Sequence, residues 1–101
     1  MKTLTNYIDV LEGTCLVLKH SATCPVSAAA HREVEAYESE GTIPVWKVTV
    51  QENRELSNEI AQKTGIRHES PQLFLYKEGN VEAHASHWNV TKDWIDKVVT
   101  K

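Results

Sequence analysis

A small α/β domain is the fold class this sequence predicts: a mixed four-stranded sheet flanked by helices, in the order αβαβαββα. Three observations predict it. Short apolar or β-branched runs at 15–18, 44–50 and 73–76 alternate with stretches of helical periodicity. Helices between the early runs imply parallel pairing through right-handed crossovers. Glu78-Gly79-Asn80, between the last two runs, is a hairpin turn signal and implies antiparallel pairing.

Each element has its own signal. Residues 6–12 read as a first helix, with Tyr7, Ile8 and Leu11 on one side and Gly13 as its stop. Cys15-Leu16-Val17-Leu18 is continuously apolar, as a strand buried on both faces must be. Ser21-Ala22-Thr23 breaks that run. Pro25 then suits the first turn of a helix, where its missing N–H would be unpaired anyway. From 25 to 40, Val26, Ala30, Val34 and Tyr37 recur at helical spacing, and Gly41 closes the helix. Val45, Trp46, Val48, Thr49 and Val50 mark a second strand. Asn53 caps a helix running to Thr64, with Leu56, Ile60 and Ala61 inward and Gly65 as its stop. Leu73-Phe74-Leu75-Tyr76 is the third strand, and residues 81–85 alternate as a half-exposed fourth. Thr91 caps a last helix that turns Trp94, Ile95, Val98 and Val99 inward.

The chain has 101 residues, enough for one domain spanning 1–101 with a single core. Its net charge is -3 and no basic run occurs, which argues against a nucleic-acid surface. No window approaches the ~18 apolar residues of a membrane span, and the first nine residues carry no signal-peptide pattern. A cytoplasmic setting follows as the expectation, and there a lone exposed cysteine is reactive rather than structural. Two cysteines, Cys15 and Cys24, make neither a disulfide framework nor a four-ligand metal site.

Cys24 falls between a buried strand and a helix start. The thiolate is the reactive form of cysteine. Unpaired N–H groups and the partial positive charge of a helix N-terminus stabilise it. With Cys24 at the N-cap and Pro25 first in the helix, Ser27 is placed to turn its hydroxyl back toward the sulfur. A second cysteine at position 27 would resolve a mixed disulfide internally. Ser27 cannot, so Cys24 must exchange with external thiols. Thr23, Pro25 and Ser27 are the supporting residues of this site. Cys15, inside the apolar strand, reads as a small hydrophobe.

A second motif, Ile66-Arg67-His68-Glu69-Ser70-Pro71, precedes the third strand. A cis bond before Pro71 would free the Ser70 backbone to pair with an extended segment; an ordinary trans proline in a loop is the alternative. Arg67 and His68 are the nearest cations for an acidic low-molecular-weight thiol. Lys19 reads as solvated surface charge, and His20 as a solvated or capping side chain at a strand end. His31 lies two turns beyond Cys24. His84 and His87, three apart on a strand, face opposite sides and form no ligand pair, so no metal site is expected. The tryptophans Trp46, Trp88 and Trp94 read as core or edge packing, and Glu33, Glu35, Glu38 and Glu40 as a solvated helix face.

These motifs carry a resemblance. The order of elements, the Cys24 motif and the segment Gly65-Ile66-Arg67…Pro71…Leu73-Phe74…Lys77…Gly79 resemble a thioredoxin-like protein over nearly the whole chain. Thr23-Cys24-Pro25-Val26-Ser27 with Pro44-Val45-Trp46-Lys47-Val48 resembles, more narrowly, the YtxJ-like monothiol bacilliredoxins. That resemblance implies a cis Pro71 and a Cys24 that removes bacillithiol from S-bacillithiolated client proteins. It implies bacillithiol as thiol co-substrate with no tightly bound cofactor; Ser70, Pro71, Arg67 and His68 are the substrate-binding residues that the motif before the third strand suggests. The sequence departs from ordinary thioredoxin at Thr23 (usually tryptophan), Leu18 (usually a buried acid) and Ser27 (usually cysteine). General dithiol reduction is therefore not expected. Three other readings stay open: a glutathione-dependent glutaredoxin-like protein, a non-catalytic binding module, and an iron–sulfur carrier, although such carriers have glycine where this chain has Pro25.

Overall fold

Strand β2 (Thr14–His20) is the centre of the molecule, and its neighbours follow from its sequence. In the computed structural model, which describes residues 1–100, β2 pairs in parallel with β3 (Val45–Thr49) and antiparallel with β4 (Gln72–Lys77). Both faces of β2 are covered, which is why the run from Cys15 to Lys19 is buried throughout. Lys101, the last residue of the expected domain, lies outside the described residues.

The sheet has five strands in the order β1-β3-β2-β4-β5, one more than expected. The addition is β1 (Lys2–Thr3), which pairs with Trp46 and Lys47 at the β3 edge. Two exposed residues carry no readable period, so nothing local marked them as a strand; the free edge of β3 supplies the pairing. β5 (Asn80–Ser86) closes the other side as a hairpin with β4. Its turn residues, Glu78 and Gly79, both have positive φ, at 50° and 82°, the geometry a two-residue hairpin turn favours.

Helices α1 (Pro25–Glu40) and α3 (Lys92–Val99) cover one face of the sheet. Val34, Tyr37, Leu16, Leu18, Leu73 and Ile95 meet there. Helix α2 (Arg54–Thr64) covers the other face, where Leu56 and Ile60 meet Val17, Val48, Phe74 and Tyr76. Full burial of a side chain such as Ile60 is worth about 1.5–3 kcal/mol. Asn53 caps α2 by accepting the Leu56 N–H, and Gly65, at φ 70°, ends it.

Several expectations require correction. The first helix is only a 3-10 turn, Tyr7–Val10. Its three-residue period turns Tyr7 and Val10 inward and leaves Ile8 and Leu11 exposed. In α1 the inward residue of the first turn is Ser27, not Val26, which is half-buried. Only Ile95 of α3 is fully buried; Trp94, Val98 and Val99 pack at the margin. The acidic face of α1 is engaged rather than merely solvated: Glu33 accepts the Lys92 N–H at 3.0 Å, and Glu40 pairs with the Lys92 ammonium at 3.0 Å. Both contacts tie α3 to α1. Among the described residues no helix is long and apolar enough to cross a membrane.

Candidate active site

The parallel strands β2 and β3 end at the same edge of the sheet, and antiparallel β4 begins there. Lys19, near the end of β2, is the register partner of Gln72, the first residue of β4. The loop after β2 carries Thr23 and Cys24; the loop before β4 carries Arg67, His68, Ser70 and Pro71. The loops carrying the candidate site residues thus lie at one end of the sheet.

Cys24 is the N-cap of α1, with extended backbone and Pro25 at the first helical position. Its side chain is half-buried and its thiol is free. The Ser27 N–H holds the Cys24 thiol below its ordinary pKa, partial burial opposes this, and the Val26 N–H and Ser27 hydroxyl add to the lowering. These N–H groups belong to the first turn of the helix, where they lack intrahelical partners, and the thiol sits beside them without a capping hydrogen bond of its own. Ser27 is itself fully buried, and its Oγ accepts the Ser21 N–H at 3.3 Å. One hydroxyl therefore locks the loop and adds to the lowering of the thiol.

Gln51, just past β3, was not anticipated from the sequence. Its Oε1 accepts the Ala22 N–H at 3.1 Å and its Nε2 donates to Ser21 Oγ at 2.8 Å. Ser21 Oγ in turn lies 3.4 Å from Thr23 Oγ1. The loop presenting Cys24 is thus braced from both β3 and α1. The only available signal was that Gln51 directly follows a strand parallel to β2.

Ser70-Pro71 is a cis peptide. The Pro71 carbonyl accepts the His87 N–H at 2.9 Å, and Ser70 lies before the first rung of the β4 ladder. Among the described residues no turn or loop hydrogen bond uses the Ser70 backbone. Glu69 is held below the ordinary carboxylate range by the Ser86 hydroxyl first, and then by His87, Arg67 and His84. Arg67 is exposed, and its carbonyl accepts from Gln72 Nε2 at 3.0 Å.

The other side chains near this end need revision. Lys19 is not solvated: it is fully buried on the α2 face, and burial lowers its amine to about 8. A lysine flanked by an apolar run reads as strand-end surface until the covering α2 is in place. His20 is not a cap but a half-buried ring whose centroid lies 5.0 Å from that of His31, the two planes tilted by 60°; burial first, then His31 and Lys47, keep its pKa low. His87 has left the strand for a 3-10 turn, 3.5 Å from Glu69. Trp88, on the same turn, is 69% exposed and packs in neither core. Cys15 faces Tyr76 and Val10 on the α2 side, and burial pushes its thiol up to about 11.

A thiol at the start of a helix, at the same sheet end as a cis-proline loop in a mixed α/β sheet, is the arrangement of a thioredoxin-fold thiol oxidoreductase. Comparisons with known proteins agree. A solved thioredoxin-fold structure described as a candidate oxidoreductase is 31% identical, covers 97% of this chain and 92% of its own, and has a TM-score of 0.92. Malassezia sympodialis thioredoxin matches at TM-score 0.76 with 18% identity over 99% of this chain and 88% of its own. Spinach chloroplast thioredoxin f matches at 0.76 with 19% identity over 98% of this chain and 89% of its own. These last two share the fold. Residues 2–95 match the monothiol bacilliredoxin BrxC family, and the chain belongs to that family.

Proposed function

We propose that this protein removes bacillithiol from S-bacillithiolated client proteins in the cytoplasm, with Cys24 as nucleophile. The observation that carries the reading is the helix N-cap thiol with a lowered pKa and a serine, not a cysteine, at the resolving position. Family membership supplies the thiol. The Cys24 thiolate attacks the bacillithiol sulfur of the mixed disulfide. The client sulfur leaves as thiolate, and a Cys24–bacillithiol disulfide forms. An external thiolate then attacks the bacillithiol sulfur, forming a new disulfide with it and returning Cys24 as thiolate. Thr23, Pro25 and Ser27 hold the nucleophile. The Ser70 backbone beside Pro71 pairs with an extended client segment, while Arg67 and His68 face the acidic thiol.

The test is intact mass after incubation with a bacillithiolated client. One bacillithiol adduct should form on the wild-type protein and none on Cys24→Ala. An adduct that persists without Cys24 defeats the mechanism. Equal transfer rates from glutathionylated and bacillithiolated forms of the same client would instead favour a glutathione-dependent enzyme. Client binding that survives Cys24→Ala without any adduct would favour a binding module.

A further inference from the structure

Beneath the loop before Pro71 lies a polar cluster in which Lys19, Ser57 and Gln72 have as yet no part in the proposed thiol chemistry. Lys19 Nζ is 3.2 Å from His68 Nδ1 and 5.9 Å from the Phe74 ring centroid. Ser57 Oγ, on the second turn of α2, is 3.3 Å from the same Nδ1. Gln72 Nε2 donates to the Arg67 carbonyl at 3.0 Å. These contacts from β2, α2 and β4 hold the 66–70 loop from below. Lys19 has no carboxylate partner in any ion pair among the described residues. A buried ammonium without one costs stability, so its place calls for an explanation other than packing.

An ammonium can only donate hydrogen bonds. With Lys19 charged, the ring nitrogen facing it accepts and the hydrogen of neutral His68 sits on Nε2; the competing tautomer is the Nδ1–H form donating to Ser57 Oγ. Nδ1 is anchored inward while the residue as a whole is exposed, so Nε2 lies on the outer side of the ring. The groups facing the ring are Lys19, Ser57, Arg54 and Glu69. Burial, then Lys19 and Arg54, hold the imidazole below its ordinary pKa, with Glu69 opposing, which favours the neutral ring.

We propose that Lys19 is a positioning residue: it fixes His68 as the Nε2–H tautomer and aims that N–H outward at a carboxylate of the acidic thiol carried to Cys24. The inference rests on the function proposed above for its substrate, but its first readout does not. Nitrogen-15 NMR of the reduced wild-type protein at pH 7 should show the Nε2–H tautomer for His68. A dominant Nδ1–H tautomer overturns the proposal. Lys19→Met keeps the chain length and apolar bulk, and it should admit the Nδ1–H form. It should also raise KM for a bacillithiolated peptide about tenfold with kcat within about twofold, the signature of lost ground-state binding. The same peptide carrying a carboxylate-free thiol should show no KM change. His68→Leu, which does not disturb β2, should show the same KM rise; an unchanged KM in it overturns the proposal. If wild-type protein takes no bacillithiol while His68 is the Nε2–H tautomer, the substrate reading fails and the tautomer assignment stands.

Discussion

Cys15 and Cys24 lie nine residues apart on one strand–loop–helix unit, yet their surroundings push the two thiols in opposite directions. Cys15 sits at the start of β2, on the α2 face, with no hydrogen-bond partner among the described residues; desolvation penalises its charged form. Cys24 sits past the other end of β2, where α1 begins and its N–H groups are unpaired; hydrogen bonding favours its charged form. Five strand steps of about 3.3 Å separate Cys15 from His20 alone, roughly 16 Å, which is beyond disulfide reach. Position along an element, not residue type, divides a thiol whose ionisation burial disfavours from one whose ionisation is favoured.

The widest gap to test is alkylation. At pH 7 iodoacetamide should modify Cys24 at least about 100-fold faster than Cys15 in the native protein, because thiolate is the nucleophile. The Cys24 rate should reach half its maximum below the ordinary thiol pKa, and Cys15 should react only on unfolding. Comparable native rates would erase the contrast between the two ends of β2.

Lys19 tests the other side of the same idea, since it projects from β2 on the same face as Cys15. Lys19→Met should raise stability by about 1–3 kcal/mol at pH 7 by removing a buried, uncompensated charge. The folded pKa, about 8, lies below the ordinary 10.5. Between those values the unfolded chain binds a proton that the folded protein does not, so wild-type stability from this group rises with pH. The advantage of the methionine variant should therefore shrink above pH ~8. Urea titrations at pH 7 and pH 10 read this directly, and a constant advantage would show that the amine stays charged when buried.

Ser27→Ala should cost about 1–2 kcal/mol, because it leaves the Ser21 N–H without its acceptor. It should move the Cys24 midpoint upward only in part, since the Ser27 N–H, the largest cause of the lowering, remains. A midpoint returned fully to the ordinary thiol value would assign the effect to the hydroxyl instead. Cys15→Val should change least, costing less than about 1.5 kcal/mol with alkylation of Cys24 unaltered. A larger loss of stability, measured by thermal melting, would mean that the sulfur does more than fill space.

Much of the frame could be read locally. Asn53 and Gly65 bracket α2, the Leu56–Ile60 spacing gives its inner side, and Cys24-Pro25 marks the start of α1. These signals come from backbone chemistry within a few residues of one another. The site was legible to the same depth: a cysteine before a helix-starting proline, and a proline before a buried strand. What escaped were contacts between distant segments. The burial of Lys19 depends on α2 and the His68 loop, the bracing of the Cys24 loop depends on Gln51 after β3, and the extra strand depends on a free edge.

By itself, the sequence determined the bounds of α1 and α2, that one thiol stands at a helix start, and that no second thiol follows it at Ser27. Periodicity, capping and turn chemistry are short-range, so they survive without tertiary context. Only the tertiary structure decided that the Cys15 thiol is suppressed, that Ser27 is buried against Ser21, and that Lys19 lies under His68 instead of in water. Solvation and hydrogen-bond partnership depend on which segments cover which, and that is settled only when the sheet and its two helical layers assemble.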